Sequence, residues 1–502
     1  MNKNIFDKNV QDYISKNLST DVFEIILKKQ LFPKVTNKEI AQQISVKVKS
    51  KKKLPTYFNT PNIYFPNKVN IEQTSSEKTA EFKSKIVTGY TMIDATGGFG
   101  VDSMYFSKEF KKTIYIEENK QLFEIVKANS KELGLINIEH LNEDGIEYAK
   151  KIDTGIDLLY IDPSRRNKEN KKVHFLSDCI PLINYDLIES LQNFKTILIK
   201  CSPIIDLKKT INDLRVVSEI YIVGINNEVK EVLFSLNKKC NNNIKIKCIE
   251  LTNRELDFDF CIDEIDNKQN NDNSEVLKYL YEPNSMILKS GAFGLICERY
   301  DVLLIEDSCE ALGSEYSSKK LGNHSTAGSF SFYYGHHIST IEGGMVVTND
   351  SDLHQLMLSL RSHGWSRDLS HEKRDQLQKK FSVDDFSNLY TFYYPGFNLR
   401  STDLQAHLGI QQLGRLNSVC ELRSKNFVRY RKNLPEFFAQ DSNANFLSSF
   451  SYGTLVENRG EVFITLKNNQ IESRPLICGN IARHPFWQSR AEDKYLPNAN
   501  VV

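Results

Sequence analysis

Two stretches of the chain show short apolar runs that alternate with segments of helical periodicity. Between residues 91 and 251 the apolar runs are TMIDA, TIYIE, DLLYID, TILIKC, EIYIVGI and IKIKCIEL. This alternation predicts an α/β fold with a parallel sheet and helices on both of its faces. A second α/β pattern begins after about residue 294 with YDVLLIEDSCEALG. The pattern therefore predicts two separate α/β regions.

The segments outside these two regions have other patterns. In STDVFEIILKKQ, Ser19 or Thr20 is expected to cap a short amphipathic helix. Residues 262–275 are polar and rich in asparagine, which predicts a loop or a domain boundary. The chain is therefore divided into a helical N-terminal region (1–74), an α/β domain (75–255), a linker (256–293) and a second α/β region (294–502).

Length and charge limit the possible classes of protein. A chain of 502 residues is long enough for at least two hydrophobic cores. The formal net charge of +1 indicates no general affinity for nucleic acid. Lysines are concentrated in the first 60 residues, for example in KVKSKKK (47–53), where they could guide a polyanion or simply form a solvated face.

The cysteines and the N-terminus bear on cellular location. Nine cysteines are scattered without a CxxC pair or a Cys/His cluster, so neither a disulfide framework nor a metal site is predicted. The segment MNKNIFDKNVQDY has no apolar signal core, and no run approaches the ~18 apolar residues of a membrane span. We therefore expect a soluble cytoplasmic protein that does not enter a membrane.

A glycine-rich turn follows the first predicted strand of the α/β domain. The segment MIDATGGFGVDSMYFS (92–107) predicts a strand, a turn and a helix. Gly97, Gly98 and Gly100 would let the backbone approach a ligand closely, although such a turn can also serve only for packing. About 20 residues further on, the next strand ends in Glu117, at the distance where an acid reaches ribose hydroxyls in doubly wound folds.

Acidic residues also follow the third and fourth predicted strands. Asp144 comes after the third strand, and Asp162 ends the fourth. Because the carboxyl ends of parallel strands meet at one edge of a sheet, four strand ends are expected to converge on one crevice. The alternative is that Glu117 and Asp144 only end strands and cap helices.

The order of these motifs resembles class I S-adenosylmethionine-dependent methyltransferases over about residues 75–255, with a Rossmann-like sheet. The resemblance implies a cofactor pocket formed by Asp94, Gly97, Gly98, Gly100, Glu117 and Asp144, with the glycine turn at the methionine moiety, Glu117 at the ribose and Asp144 near the adenine amine. It also implies that the catalytic Asp162 lies near the transferred methyl group.

Four segments point to a narrower family. EQTSSEKTAEFKSKI, DATGGFGVDS, YIDPSRR and KYLYEPNSMILKSGAF resemble a bacterial methyltransferase-like family that ordinarily continues into a ferredoxin-like and a THUMP-like segment. THUMP segments suggest RNA as the substrate, and residues 256–293 would be a truncated start of the ferredoxin-like part. The basic segment PSRRNKENKK, which follows Asp162, could neutralise phosphates or form a solvated loop.

The second α/β region resembles another family. VLLIEDSCEALGSEY (302–316) and GSFSFYYGHHISTIEGGMVVTND (328–350) are similar to the DegT/DnrJ/EryC1/StrS sugar aminotransferases, which are fold-type I pyridoxal-phosphate enzymes. The resemblance implies that Asp307 meets the pyridine nitrogen, with Glu310 one helical turn further on, and that Ser331 binds the phosphate. Asn398, in a segment similar to the dimer-crossing part of the family, would serve the cofactor of a neighbour in a homodimer.

His336 occupies the position of the lysine that holds the cofactor in most of this family. With histidine at this position the chain resembles a subgroup of the family, the 3-dehydrases of nucleotide-linked 4-keto-6-deoxyhexoses. This resemblance implies a nucleotide-sugar substrate and a role in lipopolysaccharide or O-antigen synthesis. A histidine cannot bind the cofactor covalently as lysine does, but it can move a proton. Pyridoxal or pyridoxamine phosphate is thus a candidate second cofactor, with His336 as the catalytic residue.

The second resemblance covers only part of an enzyme. The N-terminal part of the large domain, which supplies a stacking aromatic and phosphate donors, has no place before residue 294. Residues 455–475 are expected to run from one strand to the next without a helix. The chain is therefore interpreted as two family fragments joined near 293–296. Three hypotheses follow: an RNA methyltransferase, a pyridoxal-phosphate sugar enzyme that needs completion, and a non-enzymatic remnant.

Overall fold

The computed structural model describes residues 2–164, 176, 179–237, 243–252, 257–266, 283–435, 437, 444–456, 458–476 and 484–488. The chain divides into two compact units. The first unit contains Met1–Asp263 and Asn284–Ser290. The second unit contains Glu264–Pro283 and Gly291–Val502.

Helices occur throughout both units. In chain order they are α1 (Lys8–Lys16), α2 (Val22–Leu27), α3 (Asn37–Ser50), α4 (Pro55–Asn59), α5 (Lys68–Gln73), α6 (Glu77–Ser84), α7 (Val101–Glu109), α8 (Lys120–Glu132), α9 (Gly145–Lys150), α10 (Tyr185–Ser190), α11 (Leu207–Leu214), α12 (Asp263–Asp266), α13 (Ser285–Ser290), α14 (Phe293–Tyr300), α15 (Ser351–Arg361), α16 (His371–Phe381), α17 (Asp385–Asn388), α18 (Asp403–Leu413), α19 (Leu416–Asn433), α20 (Arg459–Asn468) and α21 (Pro485–Gln488). A short 3₁₀ helix, Lys3–Phe6, precedes α1.

The strands form one large sheet in the first unit and two small sheets in the second. They are β1 (Thr91–Asp94), β2 (Lys112–Ile116), β3 (Ile138–Leu141), β4 (Ile156–Ile161), β5 (Phe194–Cys201), β6 (Val217–Gly224), β7 (Val229–Leu236), β8 (Lys245–Glu250), β9 (Asp257–Cys261), β10 (Ile305–Asp307), β11 (Glu315–Tyr316), β12 (Lys319–Lys320), β13 (Ala327–Ser331) and β14 (Gly344–Val347). This mixed helix and strand content confirms the predicted α/β class.

The large sheet has nine strands in the order β3-β2-β1-β4-β5-β7-β6-β8-β9. Strands β1 to β5 are parallel to one another, but β7 is antiparallel to both β5 and β6, and β9 is antiparallel to β8. The predicted parallel sheet is therefore present in β1 to β5, and the sheet also has an antiparallel part that the prediction did not include. Only Ile225–Glu228 connect β6 to β7, and so short a link makes a hairpin, whereas a parallel connection needs a crossover of a dozen or more residues.

The N-terminal helices share a core with one face of the large sheet. The cluster joins side chains of the helical segment, such as Ile14 and Ile44, to Phe99, Tyr115 and Val126 from the sheet region. Helix α2 begins after Asp21, whose side chain accepts from the Phe23 N–H, so Asp21 caps this helix in place of the expected Ser19 or Thr20. The aspartate fits because its short carboxylate reaches the free N–H groups of a first turn.

A second core lies among the central strands. It contains Met92, Leu158, Leu198 and Leu233 from four neighbouring strands, together with Phe106 of α7. Because central strands are covered on both faces, their sequences are almost continuously apolar. These buried strands fix the positions of the loops that follow them.

The second unit contains a three-stranded sheet in the order β10-β13-β14 and a two-stranded hairpin of β11 and β12. Strand β13 is parallel to β10 and antiparallel to β14. The expected absence of a helix in residues 455–475 was wrong, because α20 spans Arg459–Asn468. Its β-branched residues resemble a strand in sequence, but helix propensities are small and context overrides them.

Candidate functional site

The order of the large sheet reverses at β1. The chain goes from β1 to β2 and β3 on one side, and then to β4 and β5 on the other side. In doubly wound sheets, ligands bind at the carboxyl ends of the strands where the order reverses. The loops that follow β1, β2, β3 and β4 surround this point, and they carry the predicted residues of the first site.

The glycine turn after β1 packs closely against β2 before it enters α7. The Gly97 N–H donates to the Ile116 carbonyl at 2.9 Å, and a Cβ on Gly97 would overlap the ring of Tyr115. Gly98 has a φ of +54° and Gly100 a φ of +77°, in the left-handed region that favours glycine. Packing and backbone conformation therefore both require glycine here.

Glu117 contacts this turn directly. One oxygen of its carboxylate accepts from the Gly98 N–H at 2.9 Å, and the other accepts from the Asn119 N–H at 2.8 Å. Partial burial raises the pKa of Glu117, while these two donors oppose the increase. Since each carboxylate oxygen can accept two hydrogen bonds, Glu117 retains the capacity to accept from a pair of ligand hydroxyls. This arrangement fits a ribose.

Asp144 caps a helix that starts against the end of β1. Its carboxylate accepts from the N–H groups of Ile146 and Glu147 at 2.9 and 3.0 Å, in the manner of an N-cap. The adjacent Gly145 lies so close to Ala95 that a Cβ would overlap the Ala95 carbonyl. The loop after β3 thus reaches the start of the glycine turn, and Asp144 is exposed beside it.

Asp94 and Asp162 are connected through Thr96. The Asp162 N–H donates to the Thr96 hydroxyl at 2.6 Å, and the Thr96 N–H donates to Asp94 at 3.1 Å. Asp94 is fully buried and also accepts from the Ser103 hydroxyl at 2.5 Å. Burial raises the pKa of Asp94 to about 7. Asp94 therefore holds the turn from inside, whereas Asp162 remains partly exposed at the crevice.

The raised pKa of Asp94 predicts a pH dependence of stability. The folded protein keeps this proton up to about pH 7, whereas an unfolded chain releases it near pH 4. Since the folded state then binds more protons, this contribution to the free energy of unfolding decreases as the pH rises from about 4 to 7. We expect Asp94→Asn to remove this slope in urea unfolding curves measured between pH 5 and 8. An unchanged slope would contradict the assignment.

A buried network of charges, which the sequence motifs did not reveal, lies beneath the crevice. The Lys83 ammonium donates to both carboxylate oxygens of Glu231 at 2.9 Å and to the Ser75 hydroxyl at 2.9 Å. It also lies 3.1 Å from Asp102. Burial alone would lower the pKa of Lys83, but the two carboxylates raise it above its ordinary value. Lys83 is therefore charged inside the protein.

The same network extends to the predicted catalytic carboxylate. The Lys200 ammonium is 2.5 Å from Asp162 and donates to the Ser75 hydroxyl at 3.1 Å. Lys200 is almost fully buried, while about a quarter of the Asp162 side chain is exposed. Ser75 thus joins the two lysines, and Lys200 fixes the Asp162 carboxylate. The signal in the sequence was a lysine within the apolar run TILIKC.

The second unit brings Asp307 and His336 to one region. Asp307 ends β10 and accepts from the Cys309 N–H at 3.1 Å and the Ser329 hydroxyl at 3.3 Å. The pKa of Asp307 is lowered, first by the Cys309 thiol and then by these two donors. The His336 Nδ1 lies 2.9 Å from the Cys309 carbonyl. A carbonyl can only accept, so this nitrogen carries a proton and Nε2 can accept one.

Phe450 packs against His336, and two arginines lie next to the Phe450 ring. Sequence reasoning did not single out these three residues. The rings of His336 and Phe450 are 4.7 Å apart at an angle of 36°. The Arg423 guanidinium donates to the carbonyls of Phe450 and Gly335 at 2.7 and 2.8 Å. Arg474 lies 5.2 Å from the Phe450 ring and 3.2 Å from Glu310. Arg423 therefore places a positive charge next to the segment that carries His336, whereas the charge of Arg474 is paired with Glu310.

The other predicted residues of the second site are placed differently. Ser331 ends β13, and its hydroxyl accepts from the Tyr333 N–H at 3.3 Å. Glu310 lies in a turn and not in a helix as expected, because the backbone turns directly after β10. Asn398 is exposed and bridges to Ser362. Within the described part of the chain, no hydrogen bond joins Asn398 to the site of Asp307 and His336.

Other predictions concern the basic segment, metal ions and the membrane. The basic segment after Ser164 lies outside the described residues from Arg165 onward. No cluster of three metal-ligating side chains occurs among the described residues. A search of the same residues found no helix that is both long and apolar enough to span a membrane.

Both parts of the chain are similar to known proteins. Residues 291–502 match the model of the DegT/DnrJ/EryC1/StrS aminotransferase family. GDP-4-keto-6-deoxy-D-mannose 3-dehydratase of Yersinia pseudotuberculosis is 32% identical, over 38% of this chain and 49% of that protein. Lipopolysaccharide biosynthesis protein RfbH of Salmonella typhimurium LT2 is 32% identical, over 38% of this chain and 48% of that protein.

The N-terminal part has a structural relative. The crystal structure of a "putative methyltransferase" from Porphyromonas gingivalis W83 matches with a TM-score of 0.53 and 25% identity, covering 62% of this chain and 78% of that protein. The chain spans about half the length of the curated relatives it matches. Residues 291–502 are therefore similar to the DegT/DnrJ/EryC1/StrS aminotransferase family, and the N-terminal part of the chain is structurally similar to that Porphyromonas gingivalis protein.

Proposed function

We propose that the first unit binds S-adenosylmethionine and transfers its methyl group to an acceptor. The observation that supports this most directly is the convergence of the glycine turn, Glu117, Asp144 and Asp162 at the point where the sheet order reverses. Glu117 would hold the ribose through the free acceptor capacity of its two oxygens. The glycine turn, which carries no side chain at three positions, would hold the amino-acid part of the cofactor.

Asp162 would act on the acceptor. S-adenosylmethionine supplies a methyl group that is activated by a positively charged sulfur. Asp162 is partly exposed at the crevice. Its carboxylate is fixed by the Lys200 ammonium, and its backbone N–H donates to the Thr96 hydroxyl. A carboxylate held in this way can accept a hydrogen bond from the acceptor and orient the atom to be methylated. Lys200 would act through Asp162 as a positioning residue.

Glu117→Ala is expected to weaken S-adenosylmethionine binding by about tenfold to a hundredfold, because hydrogen bonds to a charged group are each worth about 1.5–3 kcal/mol. The measurement is isothermal titration calorimetry with S-adenosylmethionine. The matched control is Glu118→Ala, which removes the exposed neighbouring carboxylate and should leave the affinity unchanged. Equal affinities of all three proteins would remove Glu117 from the site, and no binding to the wild type would refute the proposed function.

For the acceptor we propose RNA. The basis is the resemblance to a family with THUMP-like segments, together with the basic segment PSRRNKENKK that follows Asp162 in the sequence. Binding of total RNA should weaken with salt, and replacing Arg165 and Arg166 by alanine should reduce the logarithmic salt slope by ~0.7 for each phosphate that the protein no longer neutralises. Lys111→Ala, on an exposed position elsewhere, is the control. Binding that is insensitive to salt would indicate a small molecule or a protein as acceptor.

A second candidate function belongs to the second unit. Its relatives include a nucleotide-sugar 3-dehydratase, and its Asp307, Ser331 and His336 would hold pyridoxal or pyridoxamine phosphate and move a proton. The ionised Asp307 fits a partner for the ring nitrogen, and the accepting Nε2 of His336 fits a base. Asn398 would serve a neighbouring copy in a homodimer. We place both activities in the cytoplasm, because the cysteines show no disulfide pattern.

A further inference from the structure

The second unit buries little apolar surface. Among its described residues only eight apolar residues are buried, whereas twenty-seven large apolar side chains are exposed. The first unit has the opposite balance, with most of its apolar residues buried. Soluble proteins rarely leave extended apolar surface uncovered unless another molecule binds there. The exposed apolar surface of the second unit is therefore typical of a surface that another molecule covers.

The uncovered surface includes the sheet of β10, β13 and β14, which we name the open sheet. Ile305 of β10 is 60% exposed, and Met345 and Val346 of β14 are 50% and 53% exposed. Successive side chains of a strand point to opposite faces. Because Met345 and Val346 are neighbours, both faces of β14 are uncovered. Parallel pairs such as β10 and β13 are normally covered on both faces.

The outer strand β14 of the open sheet also lacks the features that protect sheet edges. Natural edge strands usually carry charges or proline, which prevent pairing with other chains. Strand β14 consists of Gly344, Met345, Val346 and Val347 and carries neither. Strand β14 is thus suited to accept a further strand, as in other complexes formed by strand addition.

We propose that the open sheet docks a separate polypeptide that supplies the part of the aminotransferase fold which this chain does not match. The family match begins at residue 291, where the main segment of the second unit also begins. It covers about half of the curated relatives. The proposed partner resembles the half of these relatives that this chain does not match. Its strands would continue the open sheet, and its helices would cover the faces of that sheet. This inference rests on the second candidate function and is independent of the methyltransferase proposal.

The site at His336 agrees with such a partner. Asp307 and Ser331 end β10 and β13 of the open sheet, so a polypeptide that covers this sheet comes close to both residues. Ser331 is only partly buried, and Asp307 is exposed. Docking would therefore exclude water from the groups proposed to hold the cofactor.

The experiment mixes the full chain with the unmatched half of the Yersinia pseudotuberculosis relative, and separately with that of the Salmonella typhimurium relative. Sedimentation velocity is expected to detect a one-to-one complex with at least one of them. Hydrogen exchange is expected to slow in β10 and β14. Replacing Val346 by lysine should weaken the complex at least tenfold, whereas Ile136→Lys, on an exposed apolar residue of the first unit, should have no effect.

Several results would overturn the proposal. One is the absence of a complex with both halves, at micromolar concentrations and with circular dichroism showing a folded chain. Another is a complex that is insensitive to Val346→Lys. Self-association of the chain that depends on Val346, without binding of either half, would identify a second copy as the occupant. Retention of pyridoxal phosphate through gel filtration is measured separately. Docking without retention would refute the second candidate function and leave the docking surface intact.

Discussion

Replacing Lys83 by methionine is expected to lower the free energy of unfolding of the first unit by about 3–5 kcal/mol, the cost of removing one partner from a buried ion pair. The Lys83 ammonium is completely buried and, among the described residues, is the only positive group that donates to the Glu231 carboxylate. Without it, this buried carboxylate would be left without a direct counterion. The measurement is urea unfolding followed by circular dichroism.

Two controls test whether the loss arises from uncompensated charge. Lys85→Met, at the C-cap of the same helix, breaks an exposed ion pair with Glu81 and should cost less than about 1 kcal/mol. The double variant Lys83→Met with Glu231→Leu removes both charges and should recover part of the loss, since apolar pairs often replace buried ion pairs at little cost. A Lys83→Met protein as stable as the wild type would contradict the buried-network interpretation.

Replacing Gly145 by alanine is expected to destabilise the first unit by about 1–3 kcal/mol, in the range found for overpacked interiors, and to weaken S-adenosylmethionine binding at least tenfold. The added Cβ would overlap the carbonyl of Ala95 at the end of β1. That backbone is held by the hydrogen bond from the Ala95 N–H to the Tyr160 carbonyl at 3.0 Å. Removing this overlap would therefore require a shift of either α9 or the start of the glycine turn.

Gly155→Ala is the matched control, since no atom lies within 4 Å of a Cβ at that position. Thermal unfolding should separate the two variants, and calorimetry should show normal S-adenosylmethionine binding only for Gly155→Ala. If Gly145→Ala bound S-adenosylmethionine like the wild type while being less stable, the close approach would matter for packing alone. It would then not be part of the proposed site.

The strand ends of the first unit could be predicted because their signals are local. A glycine turn after an apolar run, and acids after the next three runs, need only the rule that parallel strands present their carboxyl ends at one edge. The antiparallel direction of β7 was not predicted, because VKEVLFSL was not recognised as a strand. The short connection between β6 and β7 requires a hairpin. Helix α20 was missed because β-branched residues favour strands only weakly.

The sequence by itself determined the α/β class, the two family resemblances and the order of the candidate residues around the crevice. Only the tertiary structure decided which charges meet beneath it. Lys83 and Glu231 are separated by 148 positions, and Ser75 and Lys200 by 125. No local pattern links such residues, because their pairing depends on the order in which strands and helices pack. A buried charge is stable only where the fold places an opposite charge or a hydrogen-bonding group next to it. In this protein the buried network of charges extends to Asp162.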